Sequence, residues 1–174
     1  MLSAYRVLDL TDERGQLAGM MLADLGAEVI LVEPPTGSRS RTVGPFVEGR
    51  EEDPEASLWF WSYNRGKRSI TLDVDSPEGQ SQLKALVEGA DVVIESSDVG
   101  TMARRGLGYE ELSSINPQLV FTSISAYGQT GPKATWEATD LTVAAAGMQM
   151  ALQGDDDRAP LRIPLDQPFL HASA

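Results

Sequence analysis

The sequence predicts an α/β, Rossmann-like domain with a mainly parallel sheet, and three observations predict it. Short β-prone apolar runs alternate with segments of helical period along the chain. The helical segments are bracketed by capping residues or glycines. The chain has 174 residues, 41% hydrophobic and 23% charged, which suits one domain, residues 1–174, with a core of its own. A strand–helix–strand order of this kind requires parallel neighbours joined by right-handed crossovers.

The elements follow in order. Residues 5–10 (YRVLDL) read as the first strand, and a polar turn, Thr11 to Gly15, leads into a helix on which Leu17, Met21 and Leu25 recur every four residues. That spacing predicts them as the buried face, with Gly26 as the stop. Residues 28–32 form the second strand, ended by Glu33-Pro34-Pro35. From Pro34 to Ser62 the texture turns to Gly, Pro, Ser, Arg and acids. An aromatic cluster, Trp59, Phe60, Trp61 and Tyr63, lies at its far end, so a long functional loop with a short helix is expected. Residues 69–74 are the third strand. Ser76-Pro77-Glu78 then opens a helix with an N-cap serine and proline at its first position, with Leu83, Leu86 and Val87 inward. Residues 91–95 are the fourth strand, Gly100 to Arg105 a turn or short helix, Tyr109 to Ile115 a helix closed by Asn116-Pro117, and residues 119–125 the fifth strand. Asp140 to Leu152 reads as one apolar helix.

Charge and composition exclude whole classes of function. Fourteen Lys+Arg against twenty-six Asp+Glu give a net charge of −12, which repels polyanions and argues against nucleic acid as a partner. Cysteine is absent and His171 is the single histidine, so thiolate nucleophiles, Cys-based zinc sites and iron–sulfur ligation are excluded. His171, on an apolar terminal stretch, reads as a packed or interface residue rather than a general base. The opening residues lack a secretory signal, and no apolar run approaches the ~18 residues of a membrane span, so a cytoplasmic protein without a membrane partner is expected. The end, PFLHASA, reads as the first turns of an apolar helix with nothing to close it, so a piece of a longer protein is expected.

No G-x-G-x-x-G follows the first strand and no P-loop occurs, so classical dinucleotide and P-loop chemistry are not expected. Asp155-Asp156-Asp157 lacks the alternation and closing glutamate of a calcium loop and reads as a solvated acidic loop; no metal is expected. Arg39 and Arg41, Lys67 and Arg68, and Arg104 and Arg105 lie beside strand ends, where open α/β sheets collect ligands. They are either a cluster able to hold phosphates or basic residues scattered along loop rims. Asn64 to Ser69 and Tyr127 to Pro132 read equally as ordinary turns or as places where glycine lets a ligand approach the backbone.

As a set and in order, VLDLTDERGQLAGMMLADLGAEVILVEPPTG, NRGKRSITLDVDSPEG, ADVVIESSDVG, RRGLGYEELSSINPQLVFTSISAYGQTGP and ATDLTVAAAGM resemble the amino-terminal portion of the family III CoA-transferases, the CaiB/BaiF group. The resemblance covers almost the whole chain. It implies a transferase moving CoA between an acyl-CoA thioester and a free carboxylic acid, with coenzyme A as substrate and no permanently bound cofactor. It also implies a Rossmann-like large domain in an interlocked homo- or heterodimer. By the same resemblance Lys67 and Arg104 contact CoA, Ser96 and Ser97 stand where Asn and Phe line the nucleotide in many members, and Tyr127 faces the acyl site. Arg14 and Gly15 fall in the family's first turn without a secure one-to-one match.

The resemblance fails at the catalytic residue. The family's nucleophilic aspartate takes the acyl group from CoA covalently. Aligned without a gap from Arg162 through Ala172-Ser173, its position falls on Phe169, and Asp166 lies three residues earlier. Either Asp166 is brought in by a shifted loop, or the chain belongs to a branch lacking the nucleophile and acts as a non-catalytic partner subunit or half-enzyme. A nucleotide-binding fold serving an unrelated transferase is the third reading.

Overall fold

The computed structural model describes residues 1–155 and 157–161. Five parallel strands, β1 (Arg6–Leu10), β2 (Glu28–Glu33), β3 (Arg68–Thr71), β4 (Val92–Glu95) and β5 (Val120–Ser123), form one sheet in the order β3-β2-β1-β4-β5. The chain moves outward from β1 to β3, then returns to place β4 on the other side of β1. That reversal sits at β1/β4, where Leu8 pairs with Val93 and Leu10 with Glu95. The expected α/β fold is the one observed.

Alternation along the strands sends side chains to two cores. On one face Leu8, Val32 and Val93 pack with Leu83 and Val87 of α3 (Pro77–Val87), Met102 of α4 (Thr101–Arg104), Leu112 of α5 (Tyr109–Ile115), and Leu107. On the other, Val7, Val29 and Ile94 meet Ala18, Leu22 and Ala23 of α1 (Gln16–Asp24). Helix α3 starts as its sequence dictates: Ser76 Oγ accepts the Gly79 amide at 3.0 Å and Pro77 occupies the first turn. Asn116, closing α5, donates to Val87 O at 3.1 Å and Ala90 O at 2.7 Å, so the helix stop also ties α5 to the end of α3.

Three expectations are corrected. The buried residues of α1 are Gln16, Gly19 and Met20, whereas Met21 and Leu25 of the four-residue stripe are 41% and 44% exposed. The reason is a polar network beneath the helix, described below, which takes the inward positions. The segment 140–152 is not one helix: α6 (Asp140–Ala146) ends at Gly147, Met148 adopts a positive φ of 60°, and a 3₁₀ turn, Gln149–Leu152, follows. Strands β3 and β5 are also shorter than expected, four residues each.

The long loop after β2 carries a 3₁₀ turn, Arg39–Thr42, and α2 (Leu58–Asn64), which holds the aromatic cluster. Its anchor is Glu33. Arg41 donates to both carboxylate oxygens, at 2.6 and 2.9 Å, Ser38 donates its amide at 2.9 Å, and Ser69 adds its hydroxyl. Burial works to raise the Glu33 carboxyl, but these donors prevail and hold it at about 2. Arg41 also lies 3.8 Å over the ring of Phe60, pinning α2 to the loop.

Candidate active site

The carboxyl ends of the strands, with the loops after β1, β2, β4 and β5, enclose a cleft of about 910 Å³. Glu13 and Arg14 reach it from the turn after β1, Arg39, Thr42 and Val43 from the loop after β2, and Trp59 from α2. Ser97, Asp98 and Val99 come from the loop after β4, and Ser125, Ala126 and residues 134–138 from the chain after β5. This is the switch-point side of the sheet, where open α/β folds bind ligands.

The turn after β1 is held by Asp12 and Ser96. Ser96 Oγ accepts the Asp12 amide and donates to Asp12 Oδ1, both at 2.9 Å, while Arg14 donates to Asp12 Oδ2 and to the Ser96 carbonyl, each at 2.6 Å. The Asp12 hydrogen bond raises the Arg14 guanidinium above its ordinary value, against the opposing pull of burial. Ser96 is therefore a strap between the β1 and β4 loops, with its hydroxyl spent internally. Ser97 lines the cleft, its amide donating to Glu95 Oε2 at 2.7 Å.

Lys67 lies beneath the cleft, not on its surface. Its side chain is 1% exposed, and Nζ donates to Asp9 Oδ2 at 2.7 Å and to Gln16 O and Asn64 Oδ1 at 2.9 Å. Three donors meet three acceptors, so no proton is left for a phosphate. Burial lowers the Lys67 ammonium and Asp9 opposes that shift. Asn64 Nδ2 continues to Gln16 Oε1 at 2.9 Å, and Gln16 Nε2 to Ser38 Oγ at 3.1 Å. One connected network thus joins β1, α1, the loop after β2 and α2, the elements that flank the turn of Glu13 and Arg14 and carry Arg39 and Trp59.

Arg104 is placed differently. It is exposed at the end of α4, donates to Thr101 Oγ1 at 2.7 Å, and forms no ion pair among the described residues. Arg105 is paired with Asp75 at 2.6 Å, and Arg39, 78% exposed, with Glu13 at 3.3 Å. Tyr127 is half-buried and meets Trp136 edge-on, centroids 6.4 Å apart. Arg158 lies 3.4 Å from Asp155 and 3.9 Å from Asp157. Asp166 and His171 lie outside the described residues.

The family model of CoA-transferase family III matches residues 2–170. The chain belongs to that family. This family III chain is 40% identical over 172 residues to the succinyl-CoA:(R)-benzylsuccinate CoA-transferase subunit BbsE of Thauera aromatica, covering 99% of the chain and 42% of the relative. It is 42% identical over 164 residues to the succinate–glutarate CoA-transferase of Agrobacterium fabrum, covering 92% of the chain and 41% of that protein. A CaiB/BaiF family protein from Brucella suis superposes with a TM-score of 0.87 at 39% identity, over 98% of the chain and 46% of that structure. The chain thus spans about two fifths of the length of the curated relatives it matches.

Glu13 and Trp136 were missed at the sequence level, because neither stands in a recognisable pattern. What places Glu13 in the cleft is the Asp12–Ser96 strap, and what places Trp136 there is the return of the chain after β5.

Proposed function

We propose that the protein carrying this chain is a CoA-transferase that moves CoA between an acyl-CoA thioester and a free carboxylic acid, with the cleft at the strand ends as its acyl-CoA site. The observation that carries the reading is a cleft of about 910 Å³ at the switch-point side of a family III sheet, in a chain where Arg104, exposed at the end of α4, forms no ion pair among the described residues. In a chain of net charge −12, a cation free of carboxylates is where a phosphate gains most. Arg104, with Arg39 at the rim, is assigned to the CoA phosphates, Ser97 to the cleft wall, and Tyr127 with Trp136 to the acyl end. Lys67 supports this wall from below.

By the family resemblance, an enzyme carboxylate attacks the thioester carbonyl and expels CoA thiolate, leaving a mixed anhydride. The thiolate then attacks the enzyme's own acyl carbon, which releases the donor acid and leaves an enzyme–CoA thioester. The acceptor carboxylate repeats the sequence in reverse and departs as its acyl-CoA. Asp166 is the candidate nucleophile. The interlocked dimer belongs to this reading, supported by the apolar surface that Met21 of α1 and Leu25, just past its end, leave exposed. A cytoplasmic location is part of the same proposal. No helix among the described residues is long and apolar enough to cross a membrane.

Titration calorimetry of the intact protein should show CoA binding that weakens about three- to tenfold in Arg104→Ala. Absence of CoA binding ends the proposal. Exchange between CoA thioesters and free acids, assayed on the protein alone and with candidate partner chains, separates the enzyme from a non-catalytic partner subunit.

A further inference from the structure

Two indoles line the cleft. Trp136, in the segment after β5, is 59% exposed, with Tyr127 against it at an interplanar angle of 78° and Lys133 Nζ 5.4 Å from its ring centroid. Trp59, from α2, is braced by Tyr63 at 4.6 Å, and its Nε1 is buried without an acceptor among the described residues. Val43, Ala126, Ala134 and Ala138 line the same space with small apolar groups. Lys133 forms no ion pair among the described residues. An indole this exposed keeps a large apolar face in water, while its quadrupole favours an offset or edge-on aromatic partner over an aliphatic one.

On the acyl-CoA reading above, we propose that the acid handled in this cleft carries a planar aromatic ring that packs on Trp136, with its anionic group drawn towards Lys133. The alanines leave room for a ring where larger side chains would fill the slot. A purely aliphatic acid would fill the same volume without the ring–ring contribution, and a small polar acid would leave Trp136 wet.

The test compares two acids of nearly equal size, 3-phenylpropionate and 3-cyclohexylpropionate, titrated calorimetrically into the intact protein. The phenyl acid is expected to bind about fivefold tighter. Trp136→Ala should bring that ratio close to one, Trp136→Phe should restore most of it, and Lys133→Ala should weaken both acids alike. Equal affinity for the two acids, no binding of either, or a ratio unchanged in Trp136→Ala overturns the proposal. So does a loss confined to CoA titrated alone, which would assign the ring seat to adenine. Exchange activity is scored separately: its absence with every acid tested overturns the CoA-transferase reading, whereas the binding ratio by itself decides the ring seat.

Discussion

Lys67 and Asp9, 58 residues apart, form an ion pair of 2.7 Å with both side chains sealed from solvent. Removing one partner leaves the other charge buried and unpaired, whereas neutralising both removes the problem. Lys67→Met is therefore expected to lose about 3–5 kcal/mol in urea unfolding, and Asp9→Asn/Lys67→Met to regain most of it. The double variant should also regain CoA affinity. Were Lys67 a phosphate ligand, affinity would stay lost in both.

Gly19 makes that pair possible. A Cβ there would sit 2.1 Å from Asp9 Oδ2 and 3.0 Å from Lys67 Nζ, atoms fixed by their own hydrogen bonds. Gly19→Ala should cost about 1–3 kcal/mol or more, despite the better helix propensity of alanine. Thermal unfolding checks it, and a neutral or stabilising result would contradict the geometry.

The Glu33 carboxyl is held at about 2 in the folded protein, below its ordinary 4.5. Its contribution is therefore present above the unfolded value and fades as pH falls from about 4.5 towards 2. The amount at neutral pH is about 3 kcal/mol. Glu33→Gln should be less stable near pH 7, and the gap to the parent should close through that acid window in denaturation curves taken at successive pH values.

Ser96 and Ser97 are adjacent but have different duties. Ser96→Ala removes the hydroxyl that both accepts from and donates to Asp12, and should cost about 1–3 kcal/mol of stability. Ser97→Ala should change stability by less than about 0.5 kcal/mol and alter CoA affinity instead. Paired unfolding and calorimetry of the two variants distinguish the strap from the wall.

The alternation of strands and helices was determined by the sequence alone, because periodicity and capping are local: Ser76-Pro77 begins α3, Gly26 follows α1 and Asn116-Pro117 closes α5 wherever the rest of the chain goes. The turn or short helix from Gly100 to Arg105 was legible in the same way, and it is the four-residue α4 that ends at Arg104. Tertiary structure decided which groups face each other. Lys67 and Arg104 look alike as isolated cations, yet one is consumed by Asp9, Gln16 and Asn64, and the other meets only Thr101 among the described residues. The α1 stripe failed for the same reason. Spacing selects a face by hydrophobicity, but burying Gln16 depends on hydrogen-bond partners contributed by the loop after β2 and the chain at residues 64–67. A buried polar group is stable only if its partners arrive, and where they arrive is a property of the folded chain.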